Sequence, residues 1–295
     1  MCSGGCCGLR QVSVSAVLQG DVGVGMGDMM VRMTNRTPHD LDFLRTHLVT
    51  NGPFAHIDVV AETGSTNTDL IALAHEGAPA WSALIAEHQT AGRGRMGRSY
   101  TAPSGAQLSV SVLIRPPKEC VQRLGTMPLA TGLGLVDALG PDAGVKLKWP
   151  NDLNREGRKL CGILAEAVSL TEPAVVIGLG LNTDLQPDEL PVPHATSLSL
   201  EGIAFERNEL AVRVLLGLHC RLVQWQENDP ALLEDYRAVS ATIGQQVRVI
   251  LPGDKELLGE AVGVADDGRL EVRDSQGMLH SLSAGDVTHL RLQEN

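Results

Sequence analysis

Residues 107–114 read Gln-Leu-Ser-Val-Ser-Val-Leu-Ile, with Leu108, Val110, Val112 and Ile114 alternating with Gln107, Ser109 and Ser111. Side chains two apart point to one side of an extended chain, so this run predicts a half-buried strand. Further strands are predicted at 54–60, 82–87, 145–149, 160–168 and 173–181, the last two joined by a short turn as a hairpin. Helices are predicted at 40–49 (Leu41, Leu44 and Leu48 on one face), from Ser65 or Thr66 to His75, and at 124–139, 207–225 and 230–238. Strands interspersed with paired helices, without regular βαβ repetition, predict an α+β fold rather than a doubly wound sheet. After residue 242 the pattern changes to short strand-like runs at 246–250, 256–264, 270–273 and 279–282, and turns such as Asp266-Asp267-Gly268 and Gln276-Gly277 separate them. That pattern predicts a small C-terminal β-barrel.

A chain of 295 residues, 43% of them hydrophobic, can build a large core and more than one domain. Its net charge of -11 argues against an ordinary nucleic-acid-binding surface, though not against a nucleotide held by a local basic patch. No run of 18 apolar residues predicts a membrane span. Cys120, Cys161 and Cys220 lie far apart in apolar runs and read as buried thiols in a reducing compartment. Cys2, Cys6 and Cys7 have no second cluster to complete a metal site. Residues 1–33 lack periodicity and are expected to be disordered, and their methionines leave a later start open.

One local patch breaks the acidic balance. Ala91-Gly92-Arg93-Gly94-Arg95-Met96-Gly97-Arg98 carries three arginines and three glycines directly after a predicted strand. Glycines bring the backbone close to a ligand, and guanidinium forks suit carboxylates and phosphates. Three other polar groups stand at predicted strand ends: Ser65-Thr66-Asn67, Lys146 to Asp152, and Lys159 with Gly162. Each has a plain structural alternative: a helix cap, a solvated strand lysine, or a rigid Trp149-Pro150-Asn151-Asp152 turn. A Walker loop, a GxSxG elbow and histidines at ligand spacing are all missing, which argues against phosphoryl transfer by that route and against covalent hydrolysis.

Five stretches in order carry a specific resemblance: Glu62 to Asn67, Ala86 to Arg98 (AEHQTAGRGRMGR), Lys148 to Leu153 (KWPNDL), Lys159 to Glu166 (KLCGILAE) and Gly178 to Asn182 (GLGLN). They resemble the biotin–protein ligases. The resemblance implies a catalytic domain like that of class II aminoacyl-tRNA synthetases at 38–240, with a mixed, largely antiparallel sheet, and an SH3-like barrel at 242–295. It implies formation of biotinyl-5′-AMP from biotin and ATP with Mg2+, then transfer to a lysine of the biotin carboxyl carrier domain of acetyl-CoA carboxylase and related carboxylases. By the same resemblance Ser65, Thr66, Asn67 and Gln89 line the biotin pocket. Arg93, Arg95 and Lys159 meet the biotin carboxylate and the reacting phosphate. Arg95, Arg98, Trp149, Asn151, Asp152 and Asn182 surround the nucleotide, and Asp152 is the one possible metal ligand. A cytoplasmic monomer or weak homodimer without DNA binding is expected. A lipoate or octanoate ligase, or a binding protein that has lost catalysis, is the rival reading.

Overall fold

In the computed structural model, which describes residues 36–251, 255–283 and 285–290, the alternating run at Gln107–Ile114 lies inside a sheet and both of its faces are covered. In chain order the elements are α1 (Leu41–Arg45, continued by a π-helical turn at Thr46–Thr50), β1 (His56–Thr63), α2 (Thr66–His75) and β2 (Ser82–Gln89). The arginine-glycine segment forms a small hairpin, β3 (Gly92–Arg93) and β4 (Ser99–Tyr100), ahead of β5 (Gln107–Ile114) and α3 (Met127–Leu139). Next come β6 (Lys146–Lys148), β7 (Asp152–Arg155), β8 (Arg158–Ser169), β9 (Ala174–Asn182), α4 (Arg207–Gln226) and α5 (Ala231–Ala238). The last strands are β10 (Gln246–Leu251), β11 (Lys255–Val264), β12 (Leu270–Arg273), β13 (Leu279–Leu282) and β14 (Asp286–His289).

Seven strands form the main sheet in the order β1-β2-β5-β9-β8-β7-β6. β1 and β2 are parallel and the other neighbours antiparallel, as a mixed sheet requires. The two-residue period sorts side chains between its faces. Leu108, Val110 and Val112 of β5 share one face with Ile177 and Leu179 of β9 and Ile163 of β8, and this face joins the core that α3 and α4 complete. The opposite face is apolar at one end only, where Leu70 and Ala74 of α2 cover Leu113 and Val176. Toward its other end it carries Ser111, Ser109, Gly178, Gly180 and Gly162.

The second sheet corrects the expectation of a barrel. It is antiparallel with the order β13-β12-β11-β10-β14, and among the described residues β13 pairs only with β12 and β14 only with β10. A barrel needs a ladder between its first and last strands. Short strands and regular turns are common to open and closed sheets, so the sequence pattern does not distinguish them. This sheet rests against the first through Trp149, whose backbone N–H donates to Thr242 Oγ1 and whose indole N–H donates to the Gly268 carbonyl, both at 3.0 Å.

Two smaller expectations also change. The turn at Pro150-Asn151 leads into a strand, β7, because Asp152 to Arg155 pairs with both β6 and β8. Cys120 and Cys161 are buried, whereas Cys220 is exposed because it falls on the outer side of α4. The expectations for residues 1–33 lie outside the described residues.

Two glycines set how closely the covering helices approach. A Cβ on Gly134 of α3 would stand 2.8 Å from the Gly217 carbonyl of α4, and one on Gly217 would stand 2.5 Å from the Gly134 oxygen. Gly134→Ala therefore has to separate two backbones, and we expect a loss of about 1–3 kcal/mol of stability, typical of overpacking. Urea unfolding checks this: the midpoint should fall with an unchanged slope, and a midpoint equal to wild type would contradict the close crossing.

Candidate active site

On the polar half of the main-sheet face that α2 partly covers, three glycines leave part of the floor bare. Gly178 and Gly180 of β9 stand opposite Leu164 and Gly162 of β8. A Cβ on Gly178 would lie 2.0 Å from Asn67 Oδ1, one on Gly180 2.8 Å from Gln107 Nε2, and one on Gly162 3.2 Å from Lys159 Nζ. Polar side chains therefore occupy the space that these glycines leave free.

The start of α2 projects over this floor. Ser65 is its N-cap residue but makes no side-chain capping bond, so its buried hydroxyl is not committed to the helix. Gln89 Oε1 instead accepts from the Thr66 backbone N–H at 2.8 Å and from the Thr66 hydroxyl at 3.1 Å. Ser111 Oγ lies 2.7 Å from Thr66 Oγ1 and 2.6 Å from Asn67 Oδ1. Asn67 Nδ2 donates to the Glu166 carboxylate at 2.7 Å. The structure thus brings Thr66, Asn67 and Gln89 into one cluster, with Ser65 at its border.

Each arginine of the loop meets a different element. Arg93 donates to Glu166 of β8 at 3.0 Å, and Arg95 donates to Asn151 Oδ1 at 3.1 Å. Arg98 is paired with Asp286 of β14, in the second sheet. Asn151 is itself fixed, because its side-chain amide donates to the Ile163 carbonyl at 2.7 Å and its own carbonyl accepts from the Ile163 N–H at 2.9 Å. Lys159 Nζ donates to Asp152 Oδ1 at 2.6 Å, next to the Gly162 position. Burial pushes the Lys148 ammonium below the usual lysine range, and the charge of Asp152 opposes that shift.

Two residues predicted at the nucleotide are engaged within the protein. The Trp149 ring is buried, and its N–H is bonded to Gly268. Asn182 is buried as well; its Oδ1 accepts from Tyr100 at 2.6 Å and Gln107 at 3.0 Å, and its Nδ2 donates to the Thr196 carbonyl at 2.8 Å. Burial pushes the Tyr100 phenol up to about 12, so it stays a neutral donor in this chain of contacts. Sequence reasoning does not single out Glu166, Ser111 or Tyr100. Ser111 shows as a polar position in an alternating strand and Glu166 as the last residue of the KLCGILAE stretch, but neither pattern reveals its partners. No group of three or more His, Cys, Asp or Glu side chains among the described residues is placed to hold a metal ion.

Residues 59–184 match the Biotin/lipoate A/B protein ligase family, and residues 242–290 match the Biotin protein ligase C terminal domain. The Biotin--[acetyl-CoA-carboxylase] ligase of Mycobacterium tuberculosis is 47% identical over 264 residues, covering 87% of this chain and 97% of that protein. The Bifunctional ligase/repressor BirA of Escherichia coli is 32% identical over 245 residues, covering 80% of this chain and 74% of that protein. Among solved structures, the biotin protein ligase from Aquifex aeolicus in complex with biotin and ATP aligns with a TM-score of 0.68 at 25% identity, over 81% of this chain and 100% of that one.

Beside Lys148, at the junction with the second sheet, burial and the lysine charge push the His289 imidazole down to about 4. Histidine in an unfolded chain titrates near 6.5, so between these values the unfolded state binds more protons. Stability from this group is therefore complete above about pH 6.5 and is lost as the pH falls toward 4. Urea midpoints at pH 7 and pH 5 should differ less for His289→Gln than for wild type. Burial also pushes His194 and His219 down, so the difference should shrink rather than vanish. An equal difference in both proteins would contradict the burial of His289.

Proposed function

The chain belongs to the biotin–protein ligase family, and we infer that it joins biotin to ATP as biotinyl-5′-AMP, releases pyrophosphate, and passes the biotinyl group to a lysine of a carboxylase biotin-carrier domain. One observation carries the site assignment: cations from two separate segments, Arg93 and Arg95 of the loop and Lys159 of β8, border the same glycine-floored cluster.

A carboxylate is a poor acyl donor because oxide would have to leave. Attack of a biotin carboxylate oxygen on the α-phosphorus forms a mixed anhydride, and the bond to the pyrophosphate oxygen breaks. Both partners are anions, so their approach needs fixed positive charge. Arg93 and Arg95 supply guanidinium forks for the carboxylate and phosphate, and Lys159 stabilises the charge that grows on the α-phosphate. Arg98, paired with Asp286 of the second sheet, is assigned to the nucleotide. Ser65, Thr66, Asn67 and Gln89 offer the mix of hydroxyl and amide donors and acceptors that the polar ring system of biotin requires. Trp149 and Asn182, both engaged within the protein, then act as a buried wall and a fixed strand end.

Mg2+ carried by nucleotide phosphates needs only one or two protein carboxylates, and Asp152, with Asn151 beside it, suits that limited donor set. When bound, the ion would neutralise phosphate charge and ease departure of pyrophosphate. In the second half-reaction an uncharged acceptor amine forms the amide bond, loses one proton, and AMP leaves with the anhydride oxygen. A reaction that consumes ATP and modifies a carboxylase suits the cytoplasm. Residues 38–240 form the catalytic domain in this reading, and residues 242–295 a second domain that meets the loop through Asp286.

Lys159→Ala tests the activation step. Charge on the α-phosphate grows between ground and transition state, so kcat should fall more than KM for biotin rises. Loss of one strong electrostatic contact costs about 3 kcal/mol, roughly a hundredfold in rate. Lys159→Arg keeps the charge on a broader fork and should rescue only part of it. The assay is biotin-dependent pyrophosphate release, measured apart from transfer of preformed biotinyl-adenylate. Normal pyrophosphate release by Lys159→Ala would remove this residue from the activation step.

A further inference from the structure

Glu166 belongs to the cluster and has no part in the reaction scheme. It lies on β8, on the same sheet face as Gly162 and Leu164, with its side chain 25% exposed. One of its oxygens, Oε2, accepts from Asn67 Nδ2 at 2.7 Å and from the Arg93 guanidinium at 3.0 Å. Asn67 is 5% exposed, whereas the Arg93 side chain is 46% exposed. A single carboxylate therefore ties a buried pocket residue to an arginine of the exposed loop.

We propose that Glu166 is a positioning residue that fixes the Asn67 amide and holds Arg93 above the same pocket. This rests on the ligase reading of the site. An ionised carboxylate can only accept, so the group facing it must be the NH2 end of Asn67. The Asn67 oxygen is thereby turned to Ser111, 2.6 Å away. Without Glu166 the nearest remaining acceptor for Nδ2 is the Leu164 carbonyl, at 3.4 Å. The two ends of an amide have nearly the same shape, so the carboxylate decides which of them lies over the glycine floor.

Arg93 gains a location rather than much stability. An exposed ion pair contributes little to folding. Its effect is to keep a long side chain near the place where the anion forms, which reduces the ordering that the loop must undergo around the adenylate. Glu166 acts on the pocket through Asn67 and on the loop through Arg93, and these two routes separate under substitution.

Glu166→Gln still offers Asn67 an acceptor but gives Arg93 no opposite charge, while Glu166→Ala removes both contacts. Two readouts are needed: the Kd for biotin alone, and the dissociation rate of preformed biotinyl-adenylate, followed by chase with unlabelled biotin. For Glu166→Gln we expect a biotin Kd within about twofold of wild type and adenylate release about five- to tenfold faster. Glu166→Ala should release adenylate as fast and also bind biotin about fivefold or more weakly. Arg93→Ala/Glu166→Gln should release adenylate no faster than Arg93→Ala, because both changes break one contact. Circular dichroism confirms folding, and if Glu166→Ala does not fold, Glu166→Gln and the double variant decide. Wild-type adenylate release from Glu166→Gln, or multiplied effects in the double variant, would overturn the assignment. Failure of the wild-type protein to release pyrophosphate with biotin and ATP would instead overturn the ligase reading.

Discussion

The amide of Asn67 lies where a side chain on β9 would otherwise stand. A Cβ on Gly178 would come within 2.0 Å of Asn67 Oδ1, a distance no pair of non-bonded atoms tolerates. The beginning of α2 can settle on the sheet only because that strand position is bare. Thr66 then falls into hydrogen-bonding range of both Gln89 and Ser111. One strand edge further on, Gly162 leaves room for the Lys159 ammonium. The same strands send Ile177, Leu179 and Ile163 to the other face, where α3 and α4 bury them. A period of two thus gives the sheet an apolar support on one side and a polar cradle on the other.

Positive charge is scarce in a chain of net charge -11, and at the site it is held in place by the protein itself. Arg93, Arg98 and Lys159 each face a carboxylate, and Arg95 faces an amide oxygen. These partners come from β8, β14, β7 and the turn before β7, so the loop is tethered on several sides. In the ligase reading, an arriving carboxylate or phosphate meets cations whose positions these acceptors already set. Such preorganised charge needs little rearrangement when the reaction develops negative charge. The contact between Arg98 and Asp286 also brings the second sheet to the border of the site.

Much of this architecture is legible in the amino-acid sequence. The alternating run at 107–114 matches β5 from end to end, and the predicted hairpin at 160–168 and 173–181 is β8 and β9 with ends shifted by a residue or two. Local periodicity records these because both faces of each strand are specified by its own residues. Other features depend on partners distant in the chain. Asp152 to Arg155 carries no strong strand pattern and becomes β7 by lying between β6 and β8. Asp286 to His289 adds to β10 from almost forty residues away, and among the described residues the sheet it completes stays open. In the site, Ser65-Thr66-Asn67 and the arginine loop stand out by composition, whereas Glu166 gains its significance only from the side chains that fold against it.

In the ligase reading, the bare strand position at Gly178, more than any single polar group, makes the biotin pocket. Titration calorimetry of biotin with Gly178→Ala tests it most directly, alongside a thermal melt to confirm that the protein is folded. A methyl group there displaces the Asn67 amide from its place over the floor, so biotin affinity should fall by about tenfold or more while the variant still melts cooperatively. A folded Gly178→Ala protein that binds biotin as tightly as wild type would contradict the account.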